Sequence, residues 1–277
     1  MIRKAKQIFN AALVAGVFAL ACVSSGAALA AGKQSVYLED LTWMEVRERL
    51  SGGATIAIIP IGGTEQNGPH MEIGKHNVVV RYTAGEIARR LGNALVAPVM
   101  AYNPEGRISP PEGHMQFPGT ISVSPSTFEA LLTDAANSLK QHGFRLICFV
   151  GDNSGSQEIQ AKVARALNEK WSSDGVQALH VANYFSDNGQ AQWAQTLGVK
   201  VKEPLAHAGF ADTSELMAIH APGVRTDQLG ARGEFDYKTT GAMGDSSQAS
   251  AAYGRRLLSL KIEAAVTQIQ GASSRAN

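Results

Sequence analysis

Within the twelve residues from Glu65 to His76 stand Glu65, His70 and His76, side chains of types that ligate metal ions or move protons. The stretch reads Gly62-Gly63-Thr64-Glu65-Gln66-Asn67-Gly68-Pro69-His70, and then Gly74-Lys75-His76. A carboxylate and imidazoles at that density suit a divalent cation or acid–base chemistry. The same side chains also suit loop backbone or solvent, and residue type alone leaves both open. A second polar cluster, Gly151-Asp152-Asn153-Ser154-Gly155-Ser156, offers amides and hydroxyls. The strand–turn–helix nucleophile pattern Gly-x-Ser-x-Gly would need serine at 153, where Asn153 stands. Ser154 or Ser156 acting with His207 or His114 is the remaining serine route, beside plainer roles as ligand-oxygen binders or helix caps.

The elements that must position these residues alternate between short apolar runs and longer amphipathic ones, as in βα units around a parallel sheet. Thr42 to Glu45 is a capping box opening a helix that stops at Gly52-Gly53. Ala54 to Ile61 reads as a strand buried on both faces. A polar loop, Gly62 to His76, leads to a helix ending near Gly92. Ala94 to Met100 is expected as a second strand, Arg145 to Val150 as a third and Ala178 to Tyr184 as a fourth. Ser126 to Glu129 reads as a capping box for a helix running to Gly143. A helix from the second cluster to Trp171 is expected, with others over 212–220 and 248–268. His142 and His220 read as helix-end residues and His180 as a strand residue. The loops after strands one and three converge at the carboxyl edge of such a sheet, where ligands bind. Residues 101–120, rich in Pro and Gly, are too long for a plain connection. That loop, with Tyr102, Arg107, His114 and Phe117, is expected to form a lid bordering the pocket.

The first thirty residues read as an export signal. Arg3, Lys4 and Lys6 precede an apolar run from Ala11 to Ala21, and Ala28-Leu29-Ala30 is a small-residue cleavage site before Ala31. Residues 31–277 are then a single domain, periplasmic or secreted. The mature chain holds 22 basic and 24 acidic residues, so no basic excess points to nucleic acid. No further segment is apolar enough to span a membrane. Cleavage leaves Cys148 alone in an apolar run, a buried hydrophobe with no disulfide partner.

Four ordered motifs resemble the creatininase family. Residues 62–70 match its first motif, which continues Gly-Thr-Asp where this chain has Gly74-Lys75-His76. Gly113-His114-Met115-Gln116-Phe117-Pro118-Gly119-Thr120 echoes the second, residues 151–156 stand at the third, and His207-Ala208-Gly209-Phe210-Ala211-Asp212-Thr213-Ser214 resembles the fourth. The resemblance implies a three-layer α/β/α sandwich with a mostly parallel sheet, assembled as a homo-oligomer, frequently a hexamer. It also implies a two-metal site that activates water against a cyclic amide or related C–N bond. By the same resemblance Glu65 and Asp212 stand at acidic positions of the metal site, and His207 stands where a histidine moves protons.

The departures fall on the metal ligands. Asn67 and Asn153 replace histidines, and His76 replaces the aspartate that bridges both ions. An imidazole offers one lone pair where a carboxylate offers two oxygens, so a full two-metal centre is not expected. The surviving inventory, Glu65, His76 and Asp212, with Asn153 or water completing it, leaves two readings open: one ion of zinc or manganese type, or no tightly held metal. Asp212-Thr213-Ser214-Glu215 also reads as a helix-opening capping box. The expected function is an exported hydrolase opening a small cyclic amide, lactone or related carbonyl compound. Its catalytic residues would be His207, Glu65 and Asp212, with His114, Asn153, Ser154, Ser156 and Asn67 facing substrate. The alternative is a catalytically inactive ligand-binding or interaction protein that keeps the fold.

Overall fold

The computed structural model describes residues 35–197, 205–230 and 237–276; the expected export segment lies outside them. In chain order the elements are α1 (Trp43–Ser51), β1 (Ile56–Ile61), α2 (Lys75–Leu91), β2 (Ala94–Val96), α3 (Pro125–Gln141) and β3 (Leu146–Gly151). There follow α4 (Gln157–Lys170), β4 (Gln177–His180), α5 (Gln190–Thr196), α6 (Phe210–Ile219) and α7 (Ala251–Ala276). Single helical turns at Ala182–Phe185 and Tyr237–Thr240 complete the set used below.

All four strands are parallel, in the order β2-β1-β3-β4. Every residue of β1 and β3 is buried, and their side chains alternate between two cores. Ile56, Ile58, Leu146, Cys148 and Val150 face the layer of α2 and α7, meeting Val79, Val80, Ile87, Leu258 and Ile262. Ala57, Ile59, Ile61, Ile147 and Phe149 face α3 and α4, meeting Phe128, Leu132, Val163 and Leu167. The period-2 alternation of a strand thus divides one apolar run between two helical layers, giving the expected α/β/α sandwich.

Local chemistry sets the boundaries. Thr42 caps α1 with the full capping box. The cap of α3 is Ser124, not Ser126: its hydroxyl accepts the Thr127 amide, and Pro125 takes the first helical position. β2 stops at Val96 because Pro98 has no N–H for the ladder, although the Met100 amide rejoins at the Pro60 carbonyl. β4 ends at His180 rather than Tyr184, and the turn Ala182–Phe185 buries Tyr184 beneath the sheet edge. α6 begins at Phe210, so Asp212 lies inside its first turn and is not its cap. The Asp212 carboxylate reaches back to the Ala208 amide at 2.9 Å. Among the described residues no helix is long and apolar enough to cross a membrane.

α7 crosses α6 at Gly254, where an added Cβ would strike the Ser214 carbonyl and approach Ala218 Cβ at 2.9 Å. Backbone cannot yield there as a flexible side chain would, so Gly254→Ala is expected to cost about 3 kcal/mol. Urea denaturation of the variant beside the wild type checks this.

β1 connects to β2 on one side of the sheet and β3 connects to β4 on the other. The crevice beyond the carboxyl ends of β1 and β3 is therefore the switch point where a ligand site is expected.

Candidate active site

The loop leaving β1 runs into the first turn of α2, so Lys75 and His76 are helical residues and not part of the polar loop as expected. That turn points both side chains inward under the loop. Glu65, 2 % exposed, accepts from His76 Nε2 at 2.8 Å through Oε1 and from Asn153 Nδ2 at 3.0 Å through Oε2. The other ring nitrogen of His76, Nδ1, lies 2.9 Å from Asp152 Oδ2. An imidazole held between two carboxylates in this way donates from both nitrogens and is a cation. Burial and Lys75 oppose that charge, but Glu65 and Asp152 outweigh them and raise the His76 pKa to about 9.

Two further histidines face the same carboxylate. His114 Nε2 is 3.5 Å from Glu65 Oε2, and His207 Nδ1 is 3.6 Å from Glu65 Oε1. Their rings lie 4.7 Å apart. Burial keeps both neutral, lowering the His114 pKa and bringing that of His207 down to about 4. Burial acts to raise the Glu65 carboxyl, yet the His76 charge and hydrogen bond, with a hydrogen bond from Glu105, hold it well below the usual carboxylate range.

Gln66 decides the tautomers. Its Oε1 accepts the Gly68 amide at 3.0 Å and its Nε2 donates to the Gly241 carbonyl at 2.8 Å, so the amide cannot be flipped. One hydrogen remains on Nε2, with His114 Nδ1 at 2.9 Å and His207 Nε2 at 3.1 Å. His207 Nε2 also lies 3.1 Å from the Gln66 carbonyl, to which it donates. With His207 donating to the Gln66 carbonyl, the remaining Gln66 hydrogen goes to His114 Nδ1, which the Tyr237 hydroxyl also approaches at 3.4 Å. His114 then turns its Nε2–H toward Glu65, while His207 turns a bare Nδ1 lone pair toward the same carboxylate.

Glu105, from the long loop, is buried beside Glu65, and the single Asn153 Nδ2 contacts both carboxyls, at 3.0 Å from Glu105 Oε2. Burial and the neighbouring Glu65 push the Glu105 carboxyl up, so it is the protonated member of the pair. Its place depends on Gly63, where a Cβ would strike Glu105 Oε1. Asp212 accepts from Lys75 Nζ at 2.9 Å, and this lysine is 1 % exposed. Ala208, next to His207, has φ 55, a left-handed conformation that the Asp212 contact to its amide holds in place.

Of the residues singled out in the sequence, Glu65, His76, His114, Asn153 and His207 converge. Asp212 is tied to them by its ion pair with Lys75, and its charge acts on His207 more strongly than that of Glu65. The expected ion set of Glu65, His76 and Asp212 does not form: His76 spends both nitrogens on carboxylates, and Asp212 is occupied by Lys75 and the Ala208 amide. Asn67 lies buried with its Nδ2 on the Glu65 carbonyl and its Oδ1 without a partner. His70 bonds Thr213 at 2.9 Å. Ser156 bonds the Asn153 carbonyl and Gln160, and Ser154 is exposed at a helical turn. Among the described residues neither serine bonds His114 or His207. Of the lid, His114 reaches the site and Phe117 packs against Tyr237, which in turn stands 5.8 Å from His114, ring to ring. Tyr102 and Arg107 are exposed, the latter paired with Glu112. Glu105 and Lys75 are the site residues that motif reading passed over.

The family model for creatinine amidohydrolase matches residues 39–269. The chain belongs to the creatininase family. Among curated relatives, the mycofactocin precursor peptide peptidase of Mycolicibacterium smegmatis is 26 % identical over 235 residues, covering 78 % of this chain and 84 % of the relative. The creatinine amidohydrolase of Pseudomonas putida is 27 % identical over 202 residues, covering 71 % and 76 %. A crystal structure of creatininase superposes with a TM-score of 0.69 at 22 % identity, over 86 % of this chain and 98 % of that one. Creatininases have been solved in a manganese form and a zinc–zinc form. These relatives are hydrolases, and the likeness to solved creatininases establishes the shared α/β fold.

The two-ion site that creatininase resemblance implies does not fit the donors of this chain. By that resemblance the bridging position falls on His76, whose two ring nitrogens lie on Asp152 and Glu65, and two ligand positions fall on the amides of Asn67 and Asn153. Among the described residues one group of three, Glu65, His114 and His207, has potential ligand atoms within 4.8 Å of one another. An ion there takes lone pairs from both imidazoles, so binding it would release the proton that His114 turns toward Glu65.

Proposed function

We propose that this chain is an exported hydrolase that opens the C–N bond of a small cyclic amide, or a related lactone or amide, with water activated by His207 and Glu65. The observation that carries this reading is the neutral His207 whose Nδ1 lone pair faces an ionised Glu65 carboxylate. His207 Nδ1 takes a proton from water as its oxygen bonds to the substrate carbonyl carbon. Glu65, 3.6 Å away, stabilises the imidazolium that forms, and the Gln66 carbonyl holds the opposite N–H in register. The C–N bond breaks, the same proton passes from His207 to the departing nitrogen, and the ring becomes an amino acid. His114, held neutral, offers an N–H at the same face for the developing oxyanion. The aromatic edge of His114, Tyr237 and Phe117 suits a planar ring or amide. No step needs a resident ion.

Wild type and His207→Ala should be compared on cyclic ureas, lactams, lactones and short peptides, following ring opening or amine release. Hydrolysis by the wild type and a rate lower by about 10²–10⁴-fold in His207→Ala are expected. Equal rates, or no turnover of any substrate by the wild type, would contradict the assignment.

Export belongs to the same proposal, supported by the basic start, apolar run and Ala28-Leu29-Ala30 site. Protein from the native host should begin at Ala31; N-terminal sequencing that finds Met1 retained would refute export by cleavage. Assembly as a homo-oligomer rests on family resemblance, and sedimentation measures it.

A further inference from the structure

We infer that Lys75 and His76 act as built-in cations that take the place of metal ions, neutralising from within the chain the carboxylates that would otherwise bind them. The inference deepens the proposed function by explaining how the site keeps its acids without ions, but its evidence is geometric and separate from turnover.

Gly74-Lys75-His76 sets two bases side by side, where the creatininase resemblance implies an uncharged residue and an acid. Both land in the first turn of α2, and both are buried. Lys75 Nζ sits 2.9 Å from Asp212 Oδ1, and His76 spans Glu65 and Asp152 at 2.8 and 2.9 Å. Lys75 Nζ lies 3.3 Å from His76 Nδ1, so two positive groups share one small volume. Such crowding is tolerated only because three carboxylates surround it. The network continues inward: Asp152 Oδ1 accepts from Lys261 Nζ at 2.8 Å, and Lys261 also reaches Glu215 at 3.0 Å. Charged contacts therefore run from Asp212 through Lys75, His76, Asp152 and Lys261 to Glu215, with Lys75 and His76 as the one adjacent pair of cations along that path. A divalent ion at the bridging position would have to displace a hydrogen-bonded imidazolium and sit beside an ammonium. The replacement of both ligand histidines by Asn67 and Asn153 is the matching loss on the other side of the site.

The test is made on the full mature protein, by ion count and by ¹⁵N NMR of the histidine side chains. Wild type dialysed against zinc or manganese should hold fewer than two ions per chain. His76 should show protons on both ring nitrogens at neutral pH, with or without the metal. Wild type carrying two tightly held ions, or His76 with a bare nitrogen, would overturn the inference. A second arm restores the family's residue types through Asn67→His, Lys75→Thr, His76→Asp and Asn153→His together. This variant should hold at least one ion more than the wild type, and its melting temperature should rise on adding manganese. A folded variant that gains no ion would also count against the inference. Loss of hydrolysis with these results intact would refute the proposed activity and leave the cation assignment standing.

Discussion

Glu65→Gln is expected to lower kcat/KM by about 1000-fold, the scale of losing a charged partner to a catalytic base. Glu65 is where the site converges: it accepts from His76 and Asn153 and faces the nitrogens of His114 and His207. An amide there keeps the shape but removes the charge that stabilises a protonated His207. It also leaves the buried His76 cation with a single carboxylate, so stability should fall by about 3 kcal/mol. The neighbouring carboxyl provides the contrast. Glu105 is the protonated member of the pair, and Gln resembles a neutral acid in shape and hydrogen bonding. Glu105→Gln should therefore change stability by less than about 1 kcal/mol. Urea midpoints of the two variants, measured side by side, show which carboxyl carries the charge; a larger loss at Glu105 would reverse the assignment.

Lys261→Met should cost about 3–5 kcal/mol, since it strands two buried carboxylates, Asp152 and Glu215, in the layer between α7 and the sheet. Asp152 also accepts from the Tyr184 hydroxyl at 2.8 Å, and Glu215 from Gln190 at 2.6 Å, so neighbouring donors remain but the charge balance does not. The sign of the pH dependence follows. Burial acts to raise the Asp152 carboxyl, but Lys261, then His76, outweigh it and hold it below its ordinary 3.8. A depressed acid gives stability that is present above 3.8 and is lost as pH falls below it. Lys261 is shifted the other way: burial acts to lower it, but Asp152 and Glu215 raise it above its ordinary 10.5. Its contribution is therefore present across neutral pH and lost only in strong alkali. Between pH 7 and 3 wild type should lose stability steeply toward the acid end, whereas Lys261→Met should already be weak at pH 7 and show a shallower acid limb; above neutral, wild type also loses the His76 contribution as pH rises toward about 9. Denaturation midpoints between pH 7 and 3 measure both.

The sheet was legible because its residues obey a local rule. Apolar runs at 54–61 and 146–150 fix β1 and β3, and capping chemistry at Thr42 fixes α1. Errors came where a local signal met a tertiary one. Lys75 and His76 follow a glycine and look like loop, but they open α2, and the helix turns them toward acids that lie far off in sequence. Ser126 to Glu129 had the spacing of a capping box, but Pro125 suits the first helical position and hands the cap to Ser124. Glu105 carried no motif; its role depends on the absent side chain of Gly63 and on Asn153, 48 residues away. Lys261 had a visible signal that motif reading does not use: it lies on the same helical stripe as Leu257, Leu258, Ile262 and Ala265, where a charge is out of place unless paired. The tautomers of His114 and His207 follow from Gln66, which the motif contains but whose reach to Gly241 no spacing reveals.

The central claim is that water is activated here by side chains without a resident ion. Its most direct measurement is the hydrolysis rate of mature protein stripped with a strong chelator, with metal content determined on the same sample. The account predicts an unchanged rate at substoichiometric metal. A rate that collapses on stripping and returns with added zinc or manganese would contradict it.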